Sequence, residues 1–184
     1  MTDDRLARSR PMNDPRWLSE PDWVRIQHQI PIACVDVLPV RPADASSAAV
    51  REVGLIYRGT PDAGDRWCLI GGRMLFEESL TEALARHVRT TIGREVQARS
   101  LTGDQPIYVA QYAPTLRPGF ERDPRQHAIG LTYAAVVEGP EDPQGEALDF
   151  RWFSVDSLDG VEFGFGQGHV VLECLHRLRG VPRT

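Results

Sequence analysis

Residues 66–94, RWCLIGGRMLFEESLTEALARHVRTTIGR, decide the fold. Trp67 to Ile70 read as a short strand, Gly71-Gly72-Arg73 as a turn, the residues up to Glu78 as an acidic loop, and the rest as one amphipathic helix. Ser79-Leu80-Thr81-Glu82 is a capping box, in which the serine accepts from the backbone N–H near Glu82 while Glu82 reaches back. Leu80, Leu84 and Val88 repeat at helical spacing, and Gly93 stands where a left-handed C-cap is wanted.

Working outward, residues 1–16 mix charges with prolines, lack any apolar period and read as a flexible arm, leaving 17–180 as a single domain. A helix is predicted from Ser19 to about Gln29, with Pro21 in its first turn. The stretch 30–41, IPIACVDVLPVR, is apolar on both faces and reads as a central strand. Asp36 is its interior charge, and a buried acid is costly unless it is paired or points into a cleft. A loop at 41–48 leads to a second strand, AVREVGLIYRG, whose turn TPDAGD returns it as a hairpin with the strand ending at Ile70.

Beyond the helix come weaker strands at 95–100 and 105–113. Segment 114–126, PTLRPGFERDPRQ, reads as a long exposed loop of the kind that carries specificity or a subunit contact. Residues 127–139 alternate as a long strand, DFRWF at 149–153 is another, and VDSL is a turn of helix. A glycine-rich hinge then opens a final amphipathic helix carrying Val170, Val171, Leu175 and Leu178. The order is strand-rich with two main helices, which gives an α+β class: a mixed sheet between helices.

At 184 residues and 20.6 kDa the chain suits one domain plus a tail. A net charge of −5 argues against nucleic acid as a bulk electrostatic partner. Cys34, Cys68 and Cys174 are odd in number and lack metal spacing, so reduced thiols are expected. No stretch approaches the roughly 18 apolar residues of a membrane span, and the N-terminus lacks a hydrophobic signal core. A cytoplasmic protein with no membrane partner is the expectation.

The opening stretch resembles the Nudix box, G-x5-E-x7-R-E-U-x-E-E-x-G-U, where U is a bulky aliphatic. Gly72, Glu78, Arg86 and Gly93 fall in register with its framework. The box's remaining glutamates are His87, Thr90 and Thr91 here, and its last aliphatic is Arg94. The resemblance implies an α/β/α sandwich and a Glu78–Arg86 brace. It also implies that the positions holding magnesium in the family are degenerate here. Positions 87, 90 and 91 share one side of a helix, and two hydroxyls and an imidazole are poor ligands for a hard cation. His87 and Thr91 also flank the Leu80/Leu84 stripe, as core-edge residues would.

Outside the box, the chain looks most like the GDP-mannose mannosyl hydrolase branch. The strand Pro31-Ile32-Ala33-Cys34-Val35-Asp36, Arg58 at the end of the next strand, and Gly71-Gly72-Arg73 carry that likeness. It implies hydrolysis of a nucleoside diphosphate sugar at the sugar carbon, with one Mg2+ or Mn2+. Arg58 and Arg73 would meet the diphosphate leaving group, with Asp36 also on the substrate. The Gly71 carbonyl, Glu77, Glu78 and Glu146 would supply metal ligands. The branch's last box ligand is Thr91 here and its proposed base aligns with Ala147, so two working groups are missing. Glu77, His87, Asp149 and His127 are the nearby replacements, and His87 is carried forward as the catalytic candidate. The rival expectation is a Nudix-like domain that binds a nucleotide-type ligand without turnover. Cleavage at phosphorus would need the missing glutamates, and a transcriptional regulator would need an attached DNA-binding module. Either way the partner is a nucleoside diphosphate-type small molecule, and a homodimer through the 19–30 helix is expected.

Overall fold

The structure, a computed structural model, describes residues 17–44 and 49–179. The arm expected at 1–16, residues 45–48 of the predicted loop and residue 180 of the predicted domain lie outside the described residues. Helix α1 (Glu20–Gln27) precedes β1 (Ile32–Pro42), β2 (Val50–Thr60), β3 (Gly64–Cys68), β4 (Ile70–Arg73) and helix α2 (Leu80–Ile92). Then come β5 (Gln97–Ser100), β6 (Tyr108–Ala113), β7 (Glu121–Arg122), β8 (Ala128–Glu138), β9 (Asp149–Ser154), a 3-10 turn (Val155–Gly160) and helix α3 (Gln167–Leu178).

Strand β1 is central, as its two apolar faces require. It runs parallel to β8 in continuous register from Ile32↔Ala128 to Val40↔Val136. Its other edge is shared. Residues 34–37 pair antiparallel with β4 (Cys34↔Arg73 to Val37↔Ile70), whereas Val40 to Pro42 pair with β2. Beyond that point β2 leaves β1 and pairs with β3 on one side and β9 on the other. The sheet therefore forks beside Asp36. Strands β5 and β6 complete it along the far edge of β8.

The strand period of two divides the core. Val35, Val37 and Ile70 face α2 and meet Leu84, Val88 and Ile92. Leu38, Val40 and Leu55 face α3 and meet Val170, Val171 and Cys174. Each such side chain, once buried, contributes about 1.5–3 kcal/mol. This is the α+β sandwich, a mixed sheet between helices, that the order of elements predicts. Leu175 packs only at the edge of that core, and Cys174 takes the fully buried place.

Helix α2 starts as its sequence dictates. Ser79 Oγ accepts from Glu82 N at 3.3 Å and Ser79 N donates to Glu82 Oε2 at 2.8 Å. Its C-cap Gly93 has a positive φ of 128° but a ψ of 139°, so the expected αL cap is not formed. Helix α1 is also capped by its serine and carries Pro21 in the first turn, yet none of its residues is fully buried.

Two expectations need correction. Gly71-Gly72-Arg73 is no turn: the chain changes partner at Leu69, whose N–H donates to the Gln167 side chain at 2.8 Å, and both glycines lie within β4. Segment 114–126 is only partly exposed. Glu121–Arg122 pair with β6 as β7, and Asp123 and Gln126 are buried.

Candidate functional site

The loop between β4 and α2 is braced by Glu78 and Arg86, as the resemblance implies. Arg86 Nε and Nη2 donate to the two Glu78 oxygens at 2.5 and 2.8 Å, and Nη2 also donates to the Arg73 carbonyl at 2.9 Å. Glu78 Oε2 further accepts from Leu75 N at 2.9 Å. Burial by itself would raise this carboxyl, but the Arg86 fork and the Leu75 N–H outweigh it and hold Glu78 below its ordinary range.

The helix positions that carry glutamates in the Nudix pattern are filled differently. His87 is buried, its Nε2 lies 3.3 Å from the Arg73 carbonyl, and burial followed by the Arg86 charge pushes its pKa down to about 4. The ring is therefore neutral at pH 7. Gly72 is needed beside it, because a Cβ there would stand 3.1 Å from His87 Cε1. Thr90 Oγ1 donates back to the Arg86 carbonyl at 2.8 Å, and Thr91 is buried. This face of α2 is satisfied internally and offers no anionic oxygen.

A second set of groups gathers where the sheet forks. Arg58, at the end of β2, pairs through Nη1 with Glu146 Oε2 at 2.6 Å. Asp36 projects from β1 on the α3 side, next to Gly71 on β4 and Gly130 on β8. A Cβ on Gly71 would overlap Asp36 Oδ1, and one on Gly130 would lie 2.5 Å from Asp36 Oδ2 and 3.0 Å from the Tyr112 ring. The two glycines thus make the space that the carboxyl occupies. Burial raises its pKa from 3.8 to about 7, with the charges of Arg125, Asp123, Glu146 and Arg58 acting on it in turn.

Three groups here were not foreseen from sequence. Arg125 forks onto Asp123, with both bonds at 2.9 Å, and its guanidinium carbon sits 4.6 Å from the centre of the Phe165 ring. Arg58 stands over the same ring at 5.7 Å. Phe165 has a φ of 55°, a left-handed conformation that costs a residue bearing a Cβ about 1–2 kcal/mol. The available signals were coarse: Arg125 lay in a loop marked for specificity, and Phe165 in a hinge marked only for its glycines.

Arg73 shares the Asp36 face, opposite Cys34 on β1. Its guanidinium carbon is stacked 4.1 Å from the Trp23 ring and 4.5 Å from the Trp17 ring. Glu77 is exposed, with a φ of 60°. The structure thus brings Arg58, Glu146, Asp36 and Gly71 to the fork, puts Glu78 and His87 behind the β4–α2 loop, and leaves Glu77 outside.

A divalent ion such as Mg2+ wants oxygen donors converging on one point. Glu78 is committed to Arg86, Glu146 to Arg58, and Glu77 is exposed. Among the described residues no group of three or more His, Cys, Asp or Glu side chains could hold a metal ion. Glu77, Glu78 and Glu146 do not converge as side-chain donors to one ion.

Fold and brace together define the class: this is a Nudix-fold domain. A Jonesia denitrificans structure described as a possible asymmetric diadenosine tetraphosphate hydrolase is similar, at 29% identity and a TM-score of 0.72. The match covers 85% of this chain and 99% of that one. The Nudix domain of Shewanella oneidensis NrtR, complexed with ADP ribose, matches at 14% identity and a TM-score of 0.59, over 88% of this chain and 99% of that one. A Francisella tularensis bifunctional NMN adenylyltransferase/ADP ribose pyrophosphatase, complexed with AMP and a manganese ion, matches at 13% identity and a TM-score of 0.56, over 86% of this chain and 45% of that one. No curated protein matches the chain. Residues 13–175 match the family described as Domain of unknown function (DUF4916), and the chain belongs to that family.

Proposed function

We propose that this chain is a Nudix-type hydrolase of a nucleoside diphosphate derivative, with a nucleotide sugar as the preferred form. The observation that carries this is Asp36, a carboxyl with a pKa near 7, under the charges of Arg58 and Arg125 and given its space by Gly71 and Gly130. Holding such a group in the fold is costly. A proton acceptor tuned to the working pH is what hydrolysis needs and what mere binding does not. In this reading Asp36 takes the proton of a water as that water adds to the sugar carbon. The bond from that carbon to the diphosphate oxygen breaks, and Arg58 meets the charge left on the diphosphate. Neutral His87, packed behind Gly72, holds the β4–α2 loop in place. Arg73 lines the Asp36 side of the fork with its two tryptophans. The relatives described as a possible diadenosine tetraphosphate hydrolase and as complexes with ADP ribose and with AMP support the nucleotide class. The domain spans 17–180, and it pairs through α1 into a homodimer.

The test is a panel of nucleoside diphosphate sugars and ADP-ribose, with Mg2+, with Mn2+ and with neither. Products are resolved by phosphorus NMR and binding by calorimetry. Turnover is expected to fall at least ~100-fold in Asp36→Asn, as loss of a general base does, with ligand heat retained. Unchanged turnover in that variant would sink the assignment of Asp36. Heat without product across the panel would instead favour the second reading, a binding domain. The internally satisfied α2 face and the dispersed acidic donors support that alternative.

A further inference from the structure

We infer that Arg58 and Arg125, both seated on the ring of Phe165, form a two-guanidinium clamp for adjacent phosphoryl groups, with Phe165 as the positioning residue. The inference rests on the diphosphate reading above and adds to it a second cation and a selectivity for two phosphoryl groups over one.

The two arginines come from distant parts of the chain, the end of β2 and the approach to β8, and both stand over that ring. The ring is fixed from its backbone outward. Phe165 adopts a φ of 55° between Gly164, whose N–H donates to Trp67 O at 3.0 Å, and Gly166, with a φ of 72°. A Cβ on Gly164 would stand 2.7 Å from Cys68 Sγ, so only glycine lets the segment pack this close to β3. The side chain also packs against both core clusters, which holds it between the two halves of the sheet.

Stacking on an aromatic face leaves the in-plane N–H groups of a guanidinium to donate. Each arginine is already charge-balanced, Arg58 by Glu146 and Arg125 by the Asp123 fork. Arg58 Nη2 and Arg125 Nη1 make no hydrogen bond to any described residue. Two planar cations with donors to spare, held against one ring, suit a diphosphate better than a monophosphate.

Calorimetric titration of the full chain with ADP and with AMP reads the clamp directly. The wild type is expected to prefer ADP by about tenfold or more. Arg125→Lys keeps a cation beside buried Asp123 but loses the planar fork, and is expected to cut that preference below about threefold, with AMP affinity within about twofold of wild type. Phe165→Leu should do the same, while Phe165→Tyr, which keeps a ring, should restore the preference. A wild-type preference below about threefold, an intact preference in Arg125→Lys, or ADP and AMP affinities falling together in Phe165→Leu would each overturn the clamp and leave hydrolysis by Asp36 standing. A wild type that binds neither probe and turns over nothing in the panel overturns both.

Discussion

Burial depresses the His87 imidazole from an ordinary 6.5 to about 4, and raises the Asp36 carboxyl from 3.8 to about 7. Between its two values the unfolded chain protonates His87 and the folded chain does not. The stability conferred by the neutral ring is therefore complete above about pH 6.5 and is lost as the pH falls toward 4. Asp36 has the opposite sign. The folded chain keeps a proton that the unfolded chain releases, so stability falls as the pH rises from about 4 to 7, and the cost is fully present above that. Each effect is on the order of 3–4 kcal/mol at its limit. Scanning calorimetry across this range should show His87→Gln flattening the acid limb and Asp36→Asn flattening the limb toward neutral pH. A His87→Gln protein whose acid limb stays as steep as wild type would mean that some other group carries it. The sequence placed both residues correctly, as a core-edge histidine and an interior strand acid. It could not give their charge states, because those are set first by burial, which only folding supplies.

At the scale of elements, Gly71 on β4 and Gly130 on β8 stand either side of Asp36, and they differ in what an added methyl would meet. On Gly130 it meets side chains alone, Asp36 Oδ2 and the Tyr112 ring, whereas on Gly71 it also meets the Val35 backbone oxygen at 2.6 Å. Each alanine substitution is expected to cost about 1–3 kcal/mol, as overpacking does. Combining each with Asp36→Ala should recover most of the loss for Gly130→Ala and little for Gly71→Ala. Urea unfolding of the two glycine variants, Asp36→Ala and the two double variants measures this, and equal rescue at both sites would contradict the geometry. The same pair shows why the glycine motif was misjudged. Gly-Gly-Arg carries the composition of a turn, yet Gly71 is glycine because a Cβ there would meet both the Asp36 carboxyl and the backbone of β1. Helix α2 had no such ambiguity, since the contacts of its capping box lie within four residues of each other.

For the molecule as a whole, α1 is the helix least committed to the core. It has no buried residue, is attached through the Trp23–Arg73 stack and a Gln27–Gln126 hydrogen bond at 2.9 Å, and exposes Val24 at 44%. Leu18 and Ile30 beside it are also exposed. If the chain pairs through α1, light scattering should give about twice the mass of one chain, and Val24→Glu, by placing charge in an apolar contact, should shift it to the monomer. A monomeric wild type would remove the dimer from the reading. Among the described residues no helix is long and apolar enough to cross a membrane.

The sequence by itself determined the helices, most of the strands, the framework of the box and the central place of β1. All of these follow from local spacing and apolar period, and the Glu78–Arg86 brace from the family resemblance. Only the tertiary structure decided that Arg73 stacks between tryptophans, that Glu146 answers Arg58, and that Arg125 and Phe165 join it. Those contacts span tens of residues and depend on where β2 parts from β1, and a strand's departure from its neighbour is set by competition among distant edges for the same hydrogen bonds.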